Sequence, residues 1–129
     1  MSEISKKLKI LLLINSSIGL SFAFFYIVVP YYYLSFIEWP FFDPYYSWAF
    51  GGTFFILSLF LLRSIRQNLY EQCKSLVEIT IAWETLILIL NIITLTLIST
   101  PIIYILTTWI INIMFIVLIG LKILFLRRK

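Results

Sequence analysis

Histidine is absent from this 129-residue chain, and cysteine occurs once, as Cys73. Without histidine, no Ser-His-Asp or Cys-His catalytic set can form. Zinc and haem sites built on Cys and His ligands are excluded as well. One cysteine cannot make a disulfide within the chain. Charge is also scarce, at 12% of residues, against about a quarter in soluble domains. No basic residue lies between 10 and 62 or between 75 and 121. A nucleic-acid-binding face would interleave bases with polar and aromatic groups, so no nucleic acid partner is expected. No cofactor or metal is expected either.

Apolar surface is what the chain has in excess. Hydrophobic residues make up 62% of it. A domain this small leaves much of its surface exposed, so the excess must face lipid. A helix needs about 20 apolar residues to cross a bilayer. Four runs qualify, at roughly 8–29, 45–62, 76–98 and 102–126. They are continuously apolar, unlike the alternating strands of a membrane barrel. The expected fold is an all-α integral membrane protein, a four-helix transmembrane bundle forming one domain over 1–129. The first run follows three lysines, as a signal peptide would. It is long, however, and "VVPYYY" is a poor cleavage site, so it reads as a retained span.

The ten basic residues fall at the N-terminus, between spans two and three, and at the C-terminus. That asymmetry places both termini and the 63–75 loop in the cytoplasm. Lys122, in the last turns of span four, is expected to snorkel to the inner interface. Cys73 falls in the 63–75 loop and reads as an incidental reduced cysteine, with a free, palmitoylated thiol as the alternative. Abundant isoleucine and scarce alanine hint at a prokaryotic plasma membrane.

The opposite side carries Glu38 and Asp43 and no base. From Tyr31 to Phe50, eleven of twenty residues are aromatic, and Pro30, Pro40 and Pro44 punctuate the segment. Trp and Tyr collect at headgroup level because their rings are apolar and their polar atoms reach water. This is the expected outer loop, a lid carrying Trp39, Phe42, Tyr45 and Trp48. Asp43 is placed to cap the second long helix, with Pro44 as its first residue. Thr100 and Pro101 read the same way for the fourth. The lid is either a belt that holds the bundle or the wall of an apolar ligand pocket.

Polar side chains within spans face protein or water and are functional candidates by default. They are Asn15, Glu78, Glu84, Asn91 and Asn112. Glu78 is expected in an interfacial ion pair with Lys74 or the nearby arginines. Thr80, Glu84 and Asn91 share one helix face. With no base in view, Glu84 is expected to be uncharged, hydrogen-bonded to Asn112 and serving as interhelical glue. Glu78 and Glu84 project about 120° apart on an ideal helix, so they are not an aligned carboxylate pair. Gly19 and Ala23, Ser17 and Ser21, and Gly51 with Gly52 read as close-packing positions.

The span-one run "NSSIGLSFAFFYIVVP", the outer "WPFFDP", the "FGG" that opens span two and the acid in "EITIAWE" together resemble small four-span proteins of the DoxX-like and EXPERA-like kind. That resemblance implies a four-helix membrane bundle. It also implies either sterol binding or isomerisation, or an accessory role in a redox complex. Three function classes follow. The first is a non-enzymatic membrane protein, either a partner subunit or a binder of an apolar small molecule, and the sparse chemistry favours it. The second is a small isomerase-like enzyme with Glu84 as general acid. The third is a proton or ion pathway through Glu84, Asn91 and Asn112.

Overall fold

The computed structural model describes residues 4–39, 43–67 and 69–127. They form five helices: α1 (Lys6–Ile27), α2 (Pro30–Phe36), α3 (Pro44–Gln67), α4 (Tyr70–Leu97) and α5 (Ile102–Arg127). Four of these are long and apolar enough to cross a membrane. The chain is an all-α four-helix transmembrane bundle, with α2 as a short cross-piece at one end. α1 packs on α3 and α5, and α4 packs on α5 and α3, so the order around the bundle is α1, α3, α4, α5. The end that holds α2 is the aromatic end. The end that holds the start of α1, the α3–α4 link and the close of α5 is the basic end.

The helix limits differ from the expected ones mainly at the basic end. α3 continues to Gln67 and α4 already begins at Tyr70. The expected 63–75 loop is therefore a short link, and Arg63, Arg66 and Lys74 are exposed on helix. Both helices outrun the hydrocarbon layer, and long basic stems there can reach headgroups and water. Cys73 moves with them. It is fully buried in a core cluster with Leu8, Leu12, Leu61, Tyr70 and Val77, which removes the alternative of an accessible thiol. Tyr70 ties the same end together, its hydroxyl donating to the Leu126 carbonyl at 2.7 Å.

The helix starts follow local chemistry. Ser5 accepts from the Leu8 N–H at 3.2 Å and caps α1. Asp43 Oδ1 accepts from the Tyr45 N–H at 3.0 Å and caps α3, as expected. In α5 the first helical residue is Ile102, not Pro101. The Pro101 carbonyl accepts from the Ile105 N–H at 3.2 Å, so the proline, not Thr100, holds the cap position. α2 ends in a Schellman turn. Glu38 takes φ 57°, and the N–H groups of Glu38 and Trp39 donate to the Ser35 and Leu34 carbonyls. Glycine is the usual residue in that left-handed position.

Lipid is as apolar as leucine, so close packing and polar contacts hold these helices together rather than hydrophobic burial. α1 and α3 approach most closely. A methyl group at Gly19 would strike Ser58, and one at Gly51 would come within 2.8 Å of Tyr26 and Ile27. Ser47 Oγ donates across the same interface to the Tyr26 carbonyl at 2.8 Å. Gly19, Ala23 and Gly51 are thus packing residues, as expected. Gly52 is not, since a Cβ there would meet nothing. Ser17 and Ser21 are exposed and bond back to carbonyls of their own helix.

Candidate functional site

The deepest chemistry in the bundle is an ion pair. Lys122 Nζ lies 2.6 Å from Glu84 Oε2 and 3.2 Å from Thr80 Oγ1. Lys122 is fully buried and Glu84 is only 5% exposed. Among the described residues it is the one ion pair. The Asn15 side chain of α1 is turned toward the same carboxylate from across the bundle. Lys122 therefore does not snorkel outward, and Glu84 is not an isolated acid.

Helix direction explains why the two side chains meet. Each Cα–Cβ bond leans toward the N-terminus of its own helix. α4 runs from the basic end to the aromatic end, so Glu84 leans back toward the basic end. α5 runs the other way, so Lys122 leans inward, toward the bundle centre. Reaching the basic end would require the lysine stem to double back against that tilt. One turn before Glu84, Thr80 presents its hydroxyl to the same ammonium, on the face that sequence spacing had assigned to both.

Asn112 has a different partner from the expected one. Its Oδ1 accepts from Asn91 Nδ2 at 2.8 Å, about two turns beyond Glu84 toward the aromatic end. Glu78 stands apart from this axis. It is exposed on α4 and, among the described residues, has no ion-pair partner. It makes no second carboxylate beside Glu84, and the described residues hold no group of three His, Cys, Asp or Glu side chains that could take a metal.

Among the described residues, three spaces bear on this axis. The smallest, about 20 Å³, is bordered by Glu84, Asn15, Thr80, Ser58 and Trp83. Asn15 Oδ1 and Trp83 Nε1 are buried without a hydrogen-bond partner among the described residues. Phe22, Phe54 and Phe115 separate this space from a second one of about 50 Å³, which reaches Asn91 and Tyr104. The three rings form a collar. Phe22 stacks on Phe54 with centroids 5.2 Å apart and meets Phe115 edge-on at 6.0 Å.

The third space is a large cavity of about 1000 Å³ at the aromatic end. The outer halves of α3 and α4 form its sides, and α2 with the turn after it crosses above. Phe50 and Tyr46 line it from α3, Asn91 and Thr94 from α4, and Tyr104 from α5. Tyr26, Ile37, Phe50, Asn91 and Tyr104 border both this cavity and the 50 Å³ space below it. Trp39 leans against Tyr104 with centroids 5.0 Å apart. Tyr33 of α2 packs edge-on to Tyr26. Burial lifts its phenol above the usual pKa, so the ring stays neutral in this roof.

The expected lid divides accordingly. Trp39 lines the cavity. Tyr45 and Trp48 are exposed on the first turns of α3, 70% and 53%, and face away from it. Phe42 falls outside the described residues. Tyr26, Tyr46, Phe50 and Tyr104 complete the wall, and none of them was singled out by the sequence pattern. Aromatic density alone does not separate a ring that faces lipid from one that faces a cavity.

Fold and site together define an integral membrane protein with a buried ion pair at its centre and an aromatic cavity at one end. No family model, curated protein or solved structure matches the chain.

Proposed function

We propose that this is a non-enzymatic, multi-pass membrane protein that binds an apolar or amphiphilic small molecule in the aromatic cavity. The observation that carries the reading is the cavity of about 1000 Å³. Ligand sites are usually concave, mostly apolar, and supplied with a few polar groups that fix orientation. Here aromatic walls are joined by Asn91, Thr94, Thr53 and Ser47. The distribution of basic residues supports cytoplasmic termini and a cavity that opens on the outer face of the membrane, and abundant isoleucine with scarce alanine supports a prokaryotic plasma membrane. The resemblance to DoxX-like and EXPERA-like proteins is compatible with this reading, since some of those proteins bind sterols.

The ion pair weighs against the enzyme reading. Glu84 serves Lys122 as counter-ion, and the phenylalanine collar stands between it and the large cavity. A substrate in that cavity does not reach the carboxylate. The collar likewise interrupts a continuous polar path through Glu84, Asn91 and Asn112.

The test is purification in a mild uncharged detergent, with mass spectrometry of what is retained. A small molecule at near-stoichiometric amounts is expected. Thr94→Trp, which fills the cavity from α4, should abolish its retention while the protein stays folded. A wild-type protein that retains only a protein subunit, with an identical small-molecule content in Thr94→Trp, would point to an accessory subunit and overturn the ligand reading.

A further inference from the structure

The charges at the aromatic end carry information about the ligand's polar part. Of the described residues that line the large cavity, Asp43 alone is charged. It is exposed and uses Oδ1 to cap α3. Glu38 lies in the turn between Ile37 and Trp39, both of which line the cavity. Its backbone sits in the left-handed region, at φ 57°. Among the described residues neither carboxylate has a basic partner, because the one ion pair is Glu84–Lys122. None could come from elsewhere at this end, since the chain has no base between 10 and 62 or between 75 and 121.

Five of the other lining residues are aromatic, Tyr26, Trp39, Tyr46, Phe50 and Tyr104, and the rest are aliphatic or uncharged polar. Aromatic faces are negative and attract cations, above all weakly hydrated ones such as quaternary ammonium groups. A site for an anionic headgroup would present Arg or Lys instead. Aromatic side chains in the wall, Asp43 lining it, Glu38 exposed in the adjacent turn and no base at this end make a site complementary to positive charge.

We propose that the aromatic cavity selects amphiphilic cations, bulky apolar bodies carrying one delocalised or quaternary positive charge, over neutral or anionic molecules of the same shape. The inference rests on the ligand-binding reading above and adds the sign of the charge. Aromatic wall residues and the two carboxylates acting together correspond to about a tenfold preference in affinity.

Three probes of one shape isolate that charge: tetraphenylphosphonium, tetraphenylsilane and tetraphenylborate. Each labelled probe is dialysed to equilibrium between full-length protein in uncharged micelles and protein-free micelles. The cation is expected to bind about tenfold more tightly than the neutral silane, with the borate weakest. The variant Asp43→Asn/Glu38→Gln removes both charges. Asn caps a helix as well as Asp does, so α3 keeps its start. In this variant the cation should fall to parity with the silane, whose own affinity should not change. Charge selection is overturned if wild-type protein binds the silane as tightly as the cation, or the borate most tightly. It is overturned equally if the preference survives in the double variant. In each of those cases the ligand-binding reading stands. Binding of none of the three above the micelle background would overturn both.

Discussion

Removing one partner of the Glu84–Lys122 pair should cost the bundle far more than removing both. Lys122→Met keeps the length of the stem and deletes the ammonium. It removes a contact of 2.6 Å to Glu84 and one of 3.2 Å to Thr80. The carboxylate left behind is only 5% exposed, with the Asn15 side chain as its remaining polar neighbour. Breaking a buried ion pair from one side costs about 3–5 kcal/mol. Taking up a proton lets Glu84 recover part of that, so about 3 kcal/mol is the expected loss. Glu84→Gln strands the ammonium instead and should cost a similar amount. The double variant Glu84→Gln/Lys122→Met leaves no buried charge. It should regain at least half of the summed loss, giving a coupling energy of about 3 kcal/mol or more. Neutral hydrogen bonds between membrane helices average about 0.6 kcal/mol by the same measurement, so the two cases are separable. The assay is reversible unfolding in mixed micelles, titrated with a denaturing detergent and followed by circular dichroism. Coupling below about 0.5 kcal/mol would mean that the two groups do not meet in a dry interior, and the central element of this structure would be wrong.

Three further outcomes are expected. Gly51→Ala should destabilise by about 1–3 kcal/mol, because its methyl group would press on Tyr26 and Ile27 at 2.8 Å. Gly52→Ala, which meets nothing, should be neutral or slightly stabilising. Equal losses at the two positions in the same unfolding assay would contradict the α1–α3 packing. Glu38→Gly should stabilise by up to about 1 kcal/mol, since glycine adopts the left-handed turn without strain. A loss of stability there would show that the carboxylate makes a contact worth more than the strain. Cys73 is fully buried, so a maleimide should label it only after unfolding. Rapid labelling of the native protein would place α4 differently at the basic end.

The bundle was legible in the sequence because membrane insertion is a coarse requirement. Twenty apolar residues in a row are enough to set a span, and four such runs are enough to set the class of fold. The Asp43 cap and the Gly19, Ala23 and Gly51 contacts were legible for a similar reason, since each depends on one helix or on residue size alone. What failed to show was any pairing between helices. Glu84 and Lys122 are 38 residues apart in the chain. Their meeting depends on the register of α4 against α5, which no local pattern encodes. Asn112 illustrates the same limit. The sequence pairs it with an acid of span three, yet it bonds Asn91 rather than Glu84. One clue was available. Every side chain leans toward the N-terminus of its own helix, so a lysine near the C-terminal end of the last span leans toward the bundle centre. That favours an inward lysine over a snorkelling one.

The ion pair and the cavity belong to one mechanical arrangement. A cavity of about 1000 Å³ between α3 and α4 forgoes the van der Waals contacts that hold membrane helices together. A bundle open at one end must be fastened elsewhere. The apolar cluster around Leu12, Leu61 and Cys73 closes the basic end. Glu84 and Lys122 join α4 to α5 above it, with Asn15 of α1 turned toward the same carboxylate. The Phe22, Phe54 and Phe115 collar sits next along the axis and draws on α1, α3 and α5. Beyond the collar the polar fastenings are between neutral groups, the Asn91–Asn112 bond between α4 and α5 and the Ser47–Tyr26 bond between α3 and α1. Stiffness therefore falls from the basic end toward the aromatic end, the direction required if α3 and α4 are to adjust around a guest. Occupying the cavity should slow hydrogen exchange in the outer turns of α3 and α4 and leave the helix turns around Glu84 and Lys122 unchanged. Protection that instead rose uniformly along all four helices would mean that the bundle responds as one rigid body and that the ion pair divides nothing.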